Sequence, residues 1–327
     1  MKPKRIVVVG CGSIGRRHAR LLAKRPDVAV ELCDVNQDNV QRSLQETGPR
    51  PTHSSLDQVL STRPDVVVIA TPHALHAEQA IRALRAGVHV LCEKPMSDTL
   101  AGARRMLAAA RTSGPIFSVA FNQHFHPVMR QVRDAIRSGE LGNVVHVHWH
   151  VGTYITLLNS GSRYQANMEC SLFLDYAHQP DLLHWWLGRK PAAVYASGFR
   201  GGDLELQSTP NVAALTLEYD GGLLATIHLN YVQNPQRAGC EVIGDKKWLS
   251  IDMQASVIRA STPDGQSETQ SSFAVERDSM YEAEHQAFLE AVEGKRLPES
   301  PADDAIVSQE IIAAAISSWR RQRRVRL

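Results

Sequence analysis

The chain is short of the features that would assign it to a specialised class. It carries almost no net charge: 36 basic against 34 acidic residues leave +2 over 327 residues. That balance gives no reason to expect nucleic acid or an anionic membrane as a partner. The five cysteines (Cys11, Cys33, Cys92, Cys170 and Cys240) are odd in number, scattered and without a CxxC pair. A disulfide framework and a cysteine zinc cluster are therefore not indicated. No apolar run is long enough to span a bilayer, and the strand after Lys2, Lys4 and Arg5 is too short for a signal-peptide core. A cytoplasmic location is expected. Internal repeats and low-complexity segments are also lacking. The one basic run, Arg320, Arg321, Arg323, Arg324 and Arg326, closes a helical pattern. Cations suit the negative end of a helix dipole, so this run is read as a solvated helix end.

What is present is ordinary globular composition, 43% hydrophobic and 21% charged, at a length that suggests two domains. From Lys4 to Phe121, short apolar runs alternate with helical stretches: Ile6 to Val9, Ala29 to Cys33, Asp65 to Ala70, Val88 to Cys92 and Ile116 to Ala120. That rhythm predicts a Rossmann-type doubly wound parallel sheet over residues 1–123. A helix over Val128 to Ser138 follows. The pattern then changes to short alternating strands: Val144 to Val151, Val212 to Tyr219, Leu223 to Tyr231, Cys240 to Gly244, Trp248 to Asp252 and Val257 to Ala260. Residues 124–327 are thus expected to form an α+β domain on a mainly antiparallel sheet. Its helices are expected at Cys170 to Leu187, Tyr281 to Glu293 and Asp303 to Arg324, the last able to pack back on the first domain. Thr262 to Ser272 is polar and reads as an exposed loop.

The first apolar run leads directly into Gly10-Cys11-Gly12-Ser13-Ile14-Gly15 and then an amphipathic stretch. A strand, a glycine turn and a helix N-terminus form the arrangement in which bare backbone approaches a pyrophosphate and the helix dipole meets its charge. Gly10, Gly12, Ser13, Ile14 and Gly15 are accordingly the candidate cofactor loop. Cys11 is read as a packing residue. Asp34 ends the next strand nineteen residues past Gly15, near the offset of about 20 at which an acid accepts ribose hydroxyls. A carboxylate there repels a 2′-phosphate, and Val35-Asn36 supplies no compensating cation, so NAD is expected over NADP. Ligands of such sheets bind beyond the carboxyl ends of strands. Thr71-Pro72 with His76, Glu93-Lys94-Pro95 and Asn122-Gln123-His124 occupy such ends.

Five ordered segments together resemble the glucose–fructose oxidoreductase, inositol dehydrogenase and rhizopine-catabolism (Gfo/Idh/MocA) family. They are Gly10 to His18, Thr71-Pro72-His73-Ala74-Leu75-His76, Glu93-Lys94-Pro95, Asn122 to Pro127, and Asp175-Tyr176-Ala177-His178-Gln179-Pro180-Asp181 with Leu182-Leu183-His184-Trp185. The likeness runs nearly end to end. It implies a nicotinamide-dependent oxidoreductase of sugars, cyclitols or their acids. It also implies an open-faced second-domain sheet that makes homodimer or homotetramer contacts, and a bend at Pro95, often cis in relatives, that turns Lys94 toward the nicotinamide. Thr71, Pro72, His76, Glu93 and Asn122 resemble positions lining the cofactor or substrate cleft, and first-turn helix chemistry is the other reading of His76. Tyr154, Arg163 and Tyr164 fall where a branch of relatives binds substrate. This chain departs from the family at Glu169-Cys170, where relatives carry glycines, and at His124, where arginine is frequent. It also spaces Asp175 and His178 by three residues where many relatives use four. Those departures bear on substrate identity more than on chemistry.

Oxidising a secondary alcohol needs a base for the hydroxyl proton, and histidine is matched to that task near neutral pH. His178 is assigned as that base, Asp175 as its orienting carboxylate, and Lys94 as the hydrogen-bond donor to the reacting oxygen. Lys94 as the proton carrier, and Asp181 in place of Asp175, stay open alternatives. So do two other uses of the same residues, a glycoside hydrolase that retains NAD and a non-catalytic dinucleotide sensor. His146, His148 and His150 alternate with Val147, Trp149 and Val151, which puts three imidazoles on one strand face. Same-face neighbours lie about 7 Å apart, too far for all three to reach one metal ion. A solvated or subunit-facing sheet surface is expected there, with no metal.

Overall fold

The computed structural model describes residues 2–154, 168–202, 208–265 and 268–327. The chain divides into two compact units, Met1–Phe125 with Glu276–Gln309, and His126–Val275 with Glu310–Leu327. The first begins β1 (Lys4–Val9), α1 (Ser13–Ala23), β2 (Val28–Cys33), α2 (Gln37–Thr47), β3 (Thr52–His53), α3 (Leu56–Ser61), β4 (Val66–Ile69), α4 (His76–Arg85), β5 (His89–Glu93), α5 (Leu100–Ser113) and β6 (Phe117–Ala120). These strands pair in the order β3-β2-β1-β4-β5-β6, every pair parallel. The unbroken valine and isoleucine runs of β1 and β4 follow from this position, because a central parallel strand is covered on both faces. Ile6, Val8, Val30, Leu32, Val66, Val68 and Leu91 form the core with Ala19 and Leu22 of α1. Strand order reverses between β1 and β4, which opens a crevice at their carboxyl ends.

The second unit is built from α6 (Pro127–Arg137), β7 (Val144–Gly152), α7 (Ser171–Asp175), α8 (His178–Leu187), β8 (Ala193–Phe199), β9 (Val212–Tyr219), β10 (Leu223–Asn230), β11 (Arg237–Gly244), β12 (Trp248–Asp252), β13 (Val257–Ser261) and β14 (Glu268–Ser272). After these come α9 (Arg277–Val292), α10 (Ala302–Arg321) and β15 (Val325–Arg326). Among the described residues the second sheet runs β14-β13-β12-β11-β7-β10-β9-β8-β15, antiparallel except for the β7–β10 pair. Val147, Trp149 and Val151 of β7 are buried on one face. There Trp149 stacks on Trp186 of α8, with ring centroids 5.5 Å apart. The Trp186 indole N–H donates to the Met129 carbonyl of α6 at 3.1 Å, which fastens the two helices together. α9 belongs to the first unit, where it packs on α1 and sends Phe288 and Leu289 into the core.

The expected fold class is borne out, with three corrections in the second half of the chain. The single helix expected from Cys170 to Leu187 is two helices, broken at Tyr176 and Ala177. Pro180 accounts for the break: it has no N–H to give the Tyr176 carbonyl, and its ring would clash there in a continuous helix. The segment read as a loop contains an edge strand, β14, whose polar side chains face solvent because, among the described residues, no strand pairs beyond it. The helix carried to Arg324 stops at Arg321. Gln322 turns the chain at a φ of 49°, and Val325–Arg326 pairs with β8. Arg324, part of the supposed helix end, instead binds Glu218 of β9 through Nε at 2.9 Å. β8 itself gave no sequence signal, since its buried positions include alanine and its outward ones serine and glycine.

Candidate active site

The glycine turn is shaped by two contacts that tolerate no side chain. A Cβ on Gly15 would lie 1.7 Å from the Gly10 carbonyl oxygen, and one on Gly10, itself at a φ of 93°, would lie 2.6 Å from the Ala70 oxygen. Gly12 is different. A Cβ there would meet no protein atom within 4 Å, and its φ of −68° and ψ of −166° are open to any residue. Neither packing nor backbone requires glycine at this position, and the space beside it is open. Gly12 also caps α1 without a side chain, and no acidic residue stands in the first turn, so the N–H groups of the Ser13–Gly15 turn face an environment suited to an anion. The residues fit a bound dinucleotide.

Asp34, at the end of β2, ties this turn to its own loop. One carboxylate oxygen accepts the Cys11 N–H at 2.7 Å and the Asn39 amide at 3.2 Å, and the other accepts the Asn36 N–H at 2.8 Å. Cys11 is buried, which pushes its thiol up to about 11, and it packs in the core of the first unit.

At the end of β4, Thr71 donates its hydroxyl to Gln79 at 2.7 Å, and Pro72 is exposed. His76 opens α4 fully buried, with Nε2 2.9 Å from the Thr71 carbonyl and Nδ1 3.0 Å from that of Pro95. Burial holds its imidazole below the ordinary value, against the two carbonyl contacts. Glu93 and Lys94 follow at the end of β5, both half-buried, and the Lys94–Pro95 peptide is cis. Glu93, expected beside the cofactor, has partners inside the protein: Oε1 lies 2.9 Å from Nε2 of His18, and Oε2 accepts the Lys94 N–H at 3.1 Å. Asn122 and His124 lie buried in the short 3-10 turn after β6, the His124 ring stacked on Phe121.

In the second unit, Asp175 ends α7 and His178 begins α8, on either side of the proline-induced break. Asp175 accepts a 3.1 Å hydrogen bond from the hydroxyl of Tyr231, which is fully buried. Burial, and then the Asp175 charge, push that phenol well above its usual range, so it stays a donor. Asp181, the alternative partner for His178, is buried within α8. Tyr154 is half-buried just past β7; Arg163 and Tyr164 lie outside the described residues. The three histidines of β7 do share one face. His146 and His148 both reach the Thr226 hydroxyl, at 3.2 and 2.8 Å, and His150 reaches Gln233 at 2.8 Å. Among the described residues no group of three His, Cys, Asp or Glu side chains is placed to hold a metal ion, and no helix is long and apolar enough to cross a membrane.

Comparison with known proteins places both halves of the chain in one family. Residues 4–121 match the profile described as an oxidoreductase family with an NAD-binding Rossmann fold, and residues 129–250 match the GFO/IDH/MocA C-terminal domain. The chain belongs to the Gfo/Idh/MocA family. Among its relatives, the 1,5-anhydro-D-fructose reductase of Ensifer adhaerens is 27% identical over 85% of each chain. The myo-inositol 2-dehydrogenase of Thermotoga maritima is 26% identical over 99% of this chain and 98% of its own. The solved scyllo-inositol dehydrogenase of Lactobacillus casei, with NAD(H) and scyllo-inositol bound, shares the fold at a TM-score of 0.84, with 19% identity over 99% of each chain. The Gfo/Idh/MocA chain described here is thus an oxidoreductase with an NAD-binding Rossmann domain, and the relatives carry dehydrogenase and reductase names, not those of hydrolases or sensors.

Sequence reasoning assigned no role to His18, His285 or Tyr231. A signal for the first existed: His18 falls on the Gly15-Ala19-Leu22 stripe of α1, the buried face, where a polar residue needs a partner. Tyr231 and His285 offered none, because their partners are remote in sequence.

Proposed function

We propose that the protein is an NAD-dependent dehydrogenase or reductase of a secondary alcohol or ketone in a sugar, cyclitol or sugar acid. The observation that carries this reading is the hydrogen bond between His18, on the helix that opens at the glycine turn, and Glu93, the neighbour of Lys94. It ties the helix that opens at the glycine turn to the strand end that carries Lys94, both in the first unit. Bound nicotinamide supplies the hydride acceptor in oxidation and the hydride donor in reduction. Lys94 donates a hydrogen bond to the reacting oxygen and stabilises its developing negative charge. His178 takes the hydroxyl proton in oxidation and returns it in reduction. Asp175, steadied by Tyr231, supplies the negative charge that favours the imidazolium.

Asp34 supports NAD over NADP, because a fixed carboxylate at the ribose repels a 2′-phosphate. Names of the relatives support the substrate class. A cytoplasmic location and assembly of two or four copies through the open sheet accompany this reading. The test is absorbance at the NADH band while the protein meets NAD or NADP and a panel of cyclitols, aldoses and sugar acids. Turnover with one class and a preference for NAD support the proposal. Silence with every class, while NAD binds, would sink it.

A further inference from the structure

The segment carrying Lys94 is fastened by residues for which the proposed chemistry has no use. His18 directs Nε2 to Glu93 at 2.9 Å and holds Nδ1 2.7 Å from Nε2 of His285 on α9. The other oxygen of Glu93 accepts the Lys94 N–H at 3.1 Å. A continuous hydrogen-bonded chain therefore runs from His285 through His18 and Glu93 to the lysine backbone. Its two imidazoles are shut away from solvent, at 0% and 2% exposure. Tyr281 closes over His18 edge-on at 5.4 Å, and the Arg17 guanidinium lies over the Tyr281 ring.

The chemistry of the cluster fixes its direction. Burial opposes ionisation of Glu93, but the hydrogen bond from His18 and the positive charge of Lys94 overcome it and hold the carboxyl below its usual range. An ionised carboxylate only accepts, so Nε2 of His18 carries the shared proton. Burial lowers the His285 imidazole below its ordinary range, and burial together with the Glu93 charge raises the Glu284 carboxyl above its own. Glu93 is the carboxylate the cluster keeps charged. Packing alone does not explain this: Leu21 and Leu22 fill buried positions of the same helix with apolar side chains, whereas both nitrogens of His18 are committed to partners.

We infer that His18 and His285 are positioning residues: they fix the Glu93 side chain against the Lys94 N–H and so set the direction in which the lysine leaves β5. His76 holds the Pro95 carbonyl on the other side, so the residues before and after Lys94 are each held by an imidazole. The inference rests on the proposed role of Lys94.

The experiment compares His18→Leu, His18→Gln, His285→Gln and Lys94→Ala with the parent protein. It reads kcat, KM for NAD and for the substrate found with the panel, the pH profile of kcat, and Tm. Glutamine keeps an amide donor near the position of Nε2; leucine does not. A displaced lysine should cost kcat on the order of 10- to 100-fold in His18→Leu, with both KM values nearly unchanged. The acidic limb of the profile should move to higher pH, because Glu93 without its donor protonates more readily. The groups that also titrate or carry charge and act on it are Tyr281 and Glu284 of α9, His76 of α4, Cys92 of β5 and Lys94 itself, with His285 behind His18 and Arg17 behind Tyr281. His18→Gln should recover most of the loss, and His285→Gln should show a smaller loss in the same direction. Should His18→Leu fail to fold, the two glutamine variants carry the comparison through kcat and the acidic limb. Full kcat and an unmoved acidic limb in the folded His18 and His285 variants, with Lys94→Ala impaired, would overturn the positioning chain alone. A rise in KM for NAD at unchanged kcat would do the same by assigning His18 to the nucleotide loop. Parental turnover by Lys94→Ala would overturn the role of the lysine, and the chain with it.

Discussion

Around the carboxyl ends of the parallel sheet, His18, His76 and His285 are buried, and each ring reaches groups far away in sequence. On β7 of the other sheet, His146, His148 and His150 stand two residues apart, half-buried, and bond to the neighbouring strand or the loop beyond it. The same side chain is a rivet in one region and a surface fitting in the other. Burial makes the difference: a polar ring without water must find a partner, and that partner then locks the backbone it belongs to. Strand ends of the first unit should therefore be intolerant of change, and the face of the second sheet forgiving.

The contrast is tested most sharply by activity. Replacing Lys94 by alanine should lower kcat about 10²- to 10³-fold, and His178→Ala about 10²- to 10⁴-fold, with NAD affinity largely kept; parental rates in either would break it. Next come the glycines. Gly15→Ala should cost about 3 kcal/mol and lower Tm by roughly 6 to 12 °C, because its Cβ would meet backbone. Gly12→Ala should leave Tm alone and weaken NAD by about tenfold or more, measured by titration calorimetry. Equal losses of Tm in both would show that Gly12 serves the fold.

A smaller effect concerns Glu284, whose buried carboxyl is pushed well above the ordinary value. In the unfolded chain it ionises above about pH 4.5, whereas burial in the folded chain opposes ionisation, so it destabilises the fold increasingly as pH rises above that value. Glu284→Gln should raise Tm at pH 8, and the gain should fade on acidification to nothing below about pH 4.5. A gain independent of pH would show that packing, not ionisation, is at issue. Smallest of all, His148→Ala should cost only about 0.5 to 1 kcal/mol and leave kcat unchanged, since Thr226 keeps its contact with His146. A large loss of activity would mean that the open face reaches the chemistry.

Much of the first unit was legible in the sequence because its signals are local. Unbroken valine runs mark doubly covered strands, and a glycine turn between strand and helix marks the nucleotide loop. The second unit was legible strand by strand but not at its margins. β14 and β15 sit at sheet edges where no apolar face is demanded, so alternation does not betray them. Pro180 was visible, yet the helical spacing of Leu172, Leu182 and Leu183 masked the interruption it causes. Lys94, Asp175 and His178 stood out by type and place, whereas Tyr231, His285 and the role of His18 depend on contacts across 56, 267 and 75 positions, which no window along the chain can register.

The interruption at Tyr176 and Ala177 puts the acid and the imidazole on separate supports. Asp175 is carried by a five-residue helix and steadied by Tyr231, while His178 starts a helix anchored through Trp186. Had one rigid rod carried both, any adjustment of the first would have dragged the second. With two, residues 168–174 can be altered without moving the start of the helix that carries His178, the residue proposed to transfer the proton.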